Sequence, residues 1–164
     1  MPFEIPENIH PNCAPLAWLL GAWRGNGEGD YPTLDKFTWG QELIWQQDGR
    51  PFFHYMARAW VTDAEGGKVR DAAQETGFLG CHDGGEVELL LTHNTGISEL
   101  WHGTVDGARL HLTTDAVMRA STAKEVTAGQ RMYGLVEGDL WYAMDMAAVG
   151  QELQPHLWGK LVRI

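Results

Sequence analysis

Apolar and polar residues alternate along most of this chain, a pattern typical of β-strands that bury one face. Residues 37–46 carry their apolar side chains on one face, with a polar interruption at Gln41. An Asp-Gly turn signal at 48–49 follows, and residues 52–62 resume the alternation. The two segments are therefore predicted to pair as a hairpin.

Further turn sequences recur at the spacing expected of antiparallel strands, and about ten strands fit between them. No segment has the helical length that a crossover between parallel strands requires. One short helix is predicted over residues 12–20, with Asn12 as N-cap, Pro15 in the first turn and Gly21 after its end. The turn sequences are DAEGGK, HDGGE, HNTG, VDGAR and VEGDL.

These elements predict an all-β fold, a ten-stranded antiparallel up-and-down β-barrel with a short N-terminal helix. Closure of a barrel removes exposed strand edges, and a barrel of this size can hold one ligand. A β-sandwich is the competing architecture. Because no linker, repeat or low-complexity segment interrupts the sequence, a single domain over residues 1–164 is expected.

The charge balance narrows the class of ligand. The chain has 22 acidic and 12 basic residues, a formal net charge of −10, and no run of Lys or Arg. Nucleic acids and anionic membrane surfaces attract clustered positive charge. Neither is therefore expected as a partner, and a small-molecule ligand is expected instead.

Three features of the sequence favour a reduced, cytoplasmic setting. The amino end lacks a basic segment before an apolar run, so it is not expected to be a signal peptide. No apolar stretch approaches the roughly 20 residues that a membrane helix needs. Cys13 and Cys81 form neither a CxxC nor a CxxCH motif, which argues against structural zinc and covalent haem.

Two histidines are the leading candidates for chemistry. His93 shares its strand face with the apolar residues of VELLL, where it either lines a cavity or caps the core by hydrogen bonding. His156 begins the last strand, and by spacing alone it is interpreted as a strand-end residue. Surface positions are expected for His10 and His82. The chain lacks HExxH, GxSxG and GxxxxGK[ST], so zinc hydrolase, serine hydrolase and phosphate-loop chemistry have no support.

Arg131 and Tyr133 lie two positions apart and so share a strand face. Inside a barrel they would clamp a carboxylate, as the Arg-x-Tyr pair of small fatty-acid-binding barrels does. A non-enzymatic carrier of a fatty acid or another apolar carboxylate is therefore an alternative function. The favoured interpretation of the pair is an outward Arg131 that binds a surface carboxylate.

The most specific sequence pattern is GAWRGNGEGDYPT at residues 21–33. It fits GxWxGxGxGxYPT, and the later segments PFFHY, ETGFL, NTGISE, TAKEVT and QPHL follow in matching order. Together these segments span nearly the whole chain and resemble the nitrobindin family. The resemblance implies a ten-stranded calycin-like barrel, related in fold to fatty-acid-binding proteins.

The resemblance also implies a cofactor, one haem b per subunit, held without a covalent link near the open end of the barrel. The histidine of QPHL, His156, is implied as the proximal iron ligand, which replaces its interpretation as a strand-end residue. Thr33 of YPT is implied as a haem contact, and Lys124 of TAKEVT as a partner of a haem propionate. His93 and Met146 match cavity-lining positions of the family.

Members of this family have been assigned peroxynitrite isomerase activity, in which ferric haem converts peroxynitrite to nitrate, and they bind nitric oxide. The same activity is implied here, with His156 as the residue that carries it. A haem or nitric-oxide sensor is a further alternative, and a homodimer is compatible with either. Ala73 departs from the family, because many members have a cavity-lining histidine there. The change predicts a more apolar or more open cavity, for which His93 partly compensates.

Overall fold

Ten antiparallel strands form one closed barrel in the computed structural model, which describes residues 3–164. Consecutive strands pair with each other, and the last strand pairs with the first. Met1 and Pro2, which open the predicted domain, lie outside the described residues. The strands are β1 (Gly21–Tyr31), β2 (Leu34–Gln47), β3 (Phe52–Thr62), β4 (Lys68–Cys81), β5 (Glu86–His93), β6 (Ile97–Asp106), β7 (Arg109–Arg119), β8 (Val126–Val136), β9 (Asp139–Ala148) and β10 (Gln154–Arg163).

This topology confirms the predicted up-and-down barrel, and the sandwich alternative is wrong. The predicted hairpin corresponds to β2 and β3, whose register pairs Trp45 with Tyr55. Strand β2 begins at Leu34, three residues before the alternating pattern becomes visible in the sequence. The first residues of β2 are exposed on both faces, which explains why hydrophobic alternation does not reveal them.

The predicted N-terminal helix is shorter than expected and has 3₁₀ geometry. It spans Ala14–Leu19, and its N-cap is Cys13, so the prediction of Asn12 as N-cap is wrong. A run of six residues is too short for a stable α-helix, and short runs favour the tighter 3₁₀ form. Asn12 lies in the preceding turn, where its backbone N–H donates to His10 Nδ1 at 3.1 Å. Among residues 3–164, no helix has the length and hydropathy of a membrane-spanning segment.

Large side chains fill one half of the barrel interior. The 3₁₀ helix closes this end through buried Leu16 and Leu19, and the Trp23 indole N–H donates to the Leu19 carbonyl at 2.8 Å. Strand alternation points the remaining core side chains inward at this end of the barrel. The opposite half of the barrel contains a cavity. Buried residues that fill the closed half include Leu43, Trp45, Phe53, Leu79, Leu89, Leu110, Leu112, Leu140 and Leu161.

Candidate functional site

The open half of the barrel encloses a cavity of about 570 Å³. This volume lies in the range of roughly 300–1,000 Å³ that is typical of small-molecule and cofactor pockets. The cavity walls are mostly apolar. All the residues that the sequence singled out for cofactor binding line this one cavity, namely Thr33, His93, Lys124, Met146 and His156.

A bulge in β10 directs His156 into the cavity. Pro155 and Leu157 pair with consecutive residues of β9, so His156 between them is the extra residue. Its neighbour Leu157 also lines the cavity, and in a regular strand His156 would therefore point outward. A β-bulge redirects a side chain in this way, and as a result the consecutive residues His156 and Leu157 both face the cavity.

One ring nitrogen of His156 is fixed by the backbone of β1. Nδ1 lies 3.1 Å from the carbonyl oxygen of Asp30. Because a carbonyl oxygen only accepts, Nδ1 carries the proton and Nε2 carries the lone pair. Burial lowers the pKa of His156 from 6.5, although the hydrogen bond to Asp30 opposes this shift. The imidazole is therefore neutral at pH 7, the form in which histidine binds metals.

Two aromatic rings pack edge-to-face against the imidazole of His156. The ring centroid of Tyr31 lies 5.2 Å from it and that of Phe37 lies 6.1 Å from it. The Tyr31 hydroxyl accepts the backbone N–H of Ala148 at 2.8 Å and donates to the Met146 carbonyl at 3.1 Å. Tyr31 thus ties β1 to β9 and limits the freedom of the imidazole ring.

The glycines of β1 allow this close packing. A Cβ atom on Gly29 would lie 2.2 Å from the ring of Phe37, and one on Gly27 would lie 2.1 Å from the Trp158 carbonyl oxygen. Both distances are far shorter than real Cβ contacts. The glycine-rich segment therefore lets β1 approach β10 and makes room for Phe37 beside His156.

Two polar residues stand at the mouth of the cavity. Thr33 lies in the turn between β1 and β2, and Lys124 lies in the loop between β7 and β8. Both side chains are exposed. A flexible ammonium group at the mouth can pair with a carboxylate of a ligand without entering the apolar interior.

The inner end of the cavity carries a largely buried cluster of ionisable side chains, here called the charge cluster, formed by Glu75, His93, Glu99 and Arg131. Arg131 Nη1 and Nη2 donate to the two Glu75 carboxylate oxygens at 2.6 and 2.8 Å. The Tyr55 hydroxyl donates to Glu75 at 2.7 Å. His93 Nδ1 lies 3.2 Å from Glu75, and His93 Nε2 contacts Glu99. His93 therefore bridges two carboxylates.

The ion pair between Arg131 and Glu75 is fully formed at neutral pH. Burial alone would raise the pKa of Glu75, but the charge and hydrogen bonds of Arg131, with help from His93 and Tyr55, lower it from 4.5 to about 2. Burial disfavours the charged form of Arg131 as well, yet Glu75 outweighs this and raises the pKa of Arg131. The guanidinium also lies over the Trp101 ring at 5.0 Å.

Comparison with known proteins identifies a family of β-barrel domains, in agreement with the closed barrel described above. The profile of the THAP4-like, heme-binding beta-barrel domain family matches residues 12–163. The chain belongs to this family.

Relatives of the family cover nearly the whole chain. A protein named peroxynitrite isomerase, from a Nocardioides species, is 64% identical over 163 residues, with 99% of each chain covered. A protein named ferric nitrobindin-like protein, from Cutibacterium acnes, is 38% identical over 165 residues, again with 99% of each chain covered. The crystal structure of Rv2717c from M. tuberculosis matches with a TM-score of 0.85 and 38% identity, covering 95% of this chain and 99% of that chain. These matches confirm the resemblance to the nitrobindin family.

The cavity of this haem-binding family member fits a haem in three respects. The walls are mostly apolar, as a porphyrin requires, and the mouth carries the Lys124 ammonium. The imidazole of His156 is neutral, and its proton is engaged with Asp30, so Nε2 is the nitrogen left for a metal. These are the donor type and surroundings that haem iron takes in proteins.

Arg131 faces the barrel interior, so the favoured interpretation of an outward Arg131 is wrong. The reason is strand parity, since Arg131 shares the inward face of β8 with buried Tyr133. The carboxylate that it clamps is the chain's own Glu75. Because Glu75 uses both terminal nitrogens of the guanidinium, the position that a fatty-acid carboxylate would take is already filled.

Sequence reasoning missed Glu75 and Glu99 as cavity residues. Both stand inside quoted motifs, ETGFL and NTGISE, and both share strand parity with core residues, Glu75 with Leu79 and Glu99 with Trp101. Strand parity therefore indicated that the side chains of Glu75 and Glu99 face the barrel interior. His93, in contrast, satisfies both of the interpretations left open for it, since it lines the cavity and is hydrogen-bonded.

Ala73, the position at which the family resemblance implies a histidine in many members, also lines the cavity. A methyl group at this position adds an apolar surface and no hydrogen-bond donor. His93, at the end of β5, belongs to the charge cluster, so its two nitrogens are already engaged with Glu75 and Glu99. His93 was expected to replace part of the polar side chain that Ala73 lacks. Because its ring nitrogens already contact Glu75 and Glu99, His93 has little capacity to bind a ligand in the cavity.

Proposed function

We propose that this chain binds one haem b per barrel without a covalent link, with His156 as the proximal iron ligand, and isomerises peroxynitrite to nitrate. The observation that carries the proposal is the setting of His156. A bulge directs it into the cavity, and Asp30 holds its Nδ1 proton. The names of the relatives, peroxynitrite isomerase and ferric nitrobindin-like protein, support the activity and the cofactor.

The other cavity residues have separate proposed roles. Thr33 contacts the haem at the mouth, and Lys124 pairs with a propionate. Met146 contributes to the apolar wall, while His93 lies at the inner end within the charge cluster. When bound, the haem supplies a ferric centre that acts as a Lewis acid on peroxynitrite.

The chain itself contributes a ligand for the iron, the exclusion of water, and an internal ion pair that leaves no free positive charge in the cavity. Asp30 keeps the proton of His156 on Nδ1, and burial keeps the ring neutral. The apolar walls limit water around the reacting ligand, which suits a rearrangement that neither consumes nor releases a solvent molecule. Glu75 neutralises Arg131, so this guanidinium does not offer a free positive charge to an anion.

Nitric oxide is a second proposed ligand of the same centre. An apolar pocket with Ala73 in place of a histidine suits a small, uncharged diatomic molecule. A haem or nitric-oxide sensor with the same site would bind nitric oxide yet would not accelerate the decay of peroxynitrite. The rate of peroxynitrite decay therefore separates the two functions.

The function is tested by titrating the purified chain with hemin and then mixing the complex with peroxynitrite. We expect a sharp Soret band that saturates at one hemin per chain. Substoichiometric complex should accelerate the decay and raise the yield of nitrate over nitrite, as measured by ion chromatography. Hemin-free protein is the control. Saturable hemin binding without faster decay would contradict the isomerase and favour the sensor.

We expect Gly29→Ala to weaken hemin binding several-fold, because a Cβ atom at this position displaces Phe37 from its place beside His156. Overpacking of this kind costs about 1–3 kcal/mol of unfolding free energy. The matched control is Gly134→Ala, where a Cβ atom would meet the Ala108 carbonyl oxygen at an ordinary 3.7 Å. Hemin titration and urea unfolding of both variants measure the difference, and equal behaviour would contradict the role of Gly29.

A further inference from the structure

Three tyrosines form a continuous line of contacts that begins at the cavity wall and continues into the packed core. Tyr142 on β9 lines the cavity, and Tyr133 on β8 is its direct partner across the sheet. Their rings are stacked, with centroids 5.0 Å apart and an angle of 25° between the ring planes. The hydroxyl groups of Tyr133 and Tyr55 lie 3.3 Å apart. The line therefore crosses the barrel interior from β9 to β3.

Tyr55 ends this line and differs from Tyr133 in its hydrogen bonds. The Tyr55 hydroxyl donates to the Glu75 carboxylate at 2.7 Å, so in the contact between the two hydroxyl groups Tyr133 donates and Tyr55 accepts. Glu75 is ionised at neutral pH, because its pKa is about 2. The phenol proton of Tyr55 therefore already points at a buried base.

All three phenols are buried and protonated at neutral pH. The exposed fraction is 4% for Tyr142 and 0% for Tyr133 and Tyr55. Burial is the largest influence that raises the pKa of each of them above the ordinary value of 10. Core packing needs only the rings, which phenylalanine would also supply. The hydroxyl groups, and the bond from Tyr55 to Glu75, thus allow chemistry beyond packing.

We propose that these three tyrosines, here called the tyrosine relay, carry an oxidising equivalent from the cavity to Tyr55, where Glu75 accepts the phenol proton. The oxidant is nitrogen dioxide, a small uncharged radical that forms when the O–O bond of peroxynitrite breaks homolytically and the fragments do not recombine to nitrate. The proposal rests on the proposed function only for the source of this oxidant. The relay itself is built from side chains whose contacts the structure describes.

The electrons and protons of the step balance. Nitrogen dioxide accepts one electron and leaves the cavity as nitrite. The electron comes from Tyr55 and passes through Tyr133 and Tyr142, which both end unchanged. The phenol proton of Tyr55 moves along the existing hydrogen bond to Glu75. The products are a neutral tyrosyl radical, a protonated Glu75 and nitrite, so the total charge stays the same.

Charge makes Tyr55 the end of the relay. A phenol that loses an electron and keeps its proton becomes a buried cation, which is costly in the protein interior. The Arg131 guanidinium lies 6.0 Å from the centre of the Tyr142 ring and disfavours a second positive charge there. Tyr55 avoids this cost because Glu75 takes its proton. An oxidised phenol is a much stronger acid than a carboxylic acid, even one with a pKa of about 2, so this proton transfer is downhill.

Tyr31, the remaining tyrosine of the chain, lacks such a proton acceptor. It also lines the cavity, but its hydroxyl donates to the backbone carbonyl groups of Met146 and Ala148. A backbone carbonyl accepts a hydrogen bond but does not take up the proton at neutral pH. Tyr31 is therefore a matched control for the relay, since it faces the same cavity without a base.

The relay is tested by freeze-quench electron paramagnetic resonance on the full chain. In the first arm, the hemin-loaded chain is mixed with peroxynitrite. In the second arm, the hemin-free chain meets nitrogen dioxide generated by pulse radiolysis of a nitrite solution. We expect a tyrosyl radical in both arms, with a signal that narrows when the chain carries ring-deuterated tyrosine. The second arm needs neither hemin binding nor isomerisation, so its failure counts against the relay and not against the proposed function.

Conservative variants locate the radical in the hemin-free arm. We expect Tyr142→Phe to lower the radical yield several-fold, because phenylalanine keeps the ring but is much harder to oxidise. Tyr55→Phe should shorten the lifetime of the radical, since the remaining relay tyrosines have no carboxylate to take the proton. Tyr31→Phe should leave yield and lifetime unchanged. The proposal is overturned if the wild-type chain gives no tyrosyl radical in this arm, if Tyr142→Phe and Tyr55→Phe behave like the wild type, or if Tyr31→Phe removes the signal.

Discussion

A His156→Ala variant is expected to bind hemin more than about 100-fold more weakly than the wild-type chain, because even the partners of a metal ligand contribute 10–100-fold to affinity. The ring lost is the neutral imidazole that β10 directs into the cavity. The Soret band of the residual complex should shift and broaden, as expected for iron that has lost its protein ligand. Absorption titration measures both effects.

The matched control for this variant is His82→Ala, since His82 is an exposed histidine in the turn between β4 and β5. This variant should bind hemin like the wild type. Added imidazole should restore the absorption spectrum of His156→Ala, because the truncated side chain leaves room for a free ligand in the cavity. If His156→Ala keeps wild-type hemin affinity and spectrum, the assignment of the proximal ligand is wrong.

Strand alternation was sufficient to predict the barrel, but it could not predict the orientation of His156. Each strand buries one face, so its apolar residues recur at every second position and reveal its location. A bulge changes the face of a single residue and leaves no periodic trace. The family resemblance pointed to His156, whereas the structure supplies the physical cause, an extra residue in β10 and a hydrogen bond to Asp30.

Strand parity could have placed Glu75, Glu99 and Arg131 inside the barrel, but the pairing between them was beyond sequence reasoning for a different reason. Arg131 and Glu75 are 56 positions apart, on strands β8 and β4 that are not neighbours in the sheet. Only closure of the barrel brings them across the interior, and no local pattern encodes such a pair. The boundary of the N-terminal helix was predicted less accurately than the strands. Capping preferences favoured Asn12 as the N-cap, whereas the helix in the structure has Cys13 as its N-cap.

A Glu75→Gln variant is expected to lose about 3–5 kcal/mol of unfolding free energy at pH 7, the usual cost of leaving one member of a buried ion pair without its partner. The side chain of Arg131 is 1% exposed and that of Glu75 is 10% exposed. Without the carboxylate, the guanidinium has no compensating charge, and the amide NH2 group that replaces one carboxylate oxygen cannot accept the hydrogen bond that Arg131 donates to that oxygen. Urea unfolding monitored by tryptophan fluorescence measures the loss.

A surface ion pair on the same barrel provides the control. Glu42 accepts hydrogen bonds from Arg58 on the outer face, where the Arg58 side chain is 65% exposed. Glu42→Gln should cost less than about 1 kcal/mol, as exposed pairs do. The double variant Glu75→Gln/Arg131→Met should be less destabilised than the sum of its single variants, because it removes the uncompensated charge together with its partner.

Acidification should reproduce part of the Glu75→Gln effect in the wild-type chain. The pKa of Glu75 is about 2 in the folded chain, against an ordinary value of 4.5. Above about pH 4.5 the carboxylate is ionised in both states, and its contribution to stability is complete. As the pH falls from 4.5 towards 2, the unfolded chain binds a proton that the folded chain does not, so stability is lost. The gap in unfolding free energy between wild type and Glu75→Gln should therefore narrow over this interval, and a gap that stays constant would mean that Glu75 is not the charged partner of Arg131.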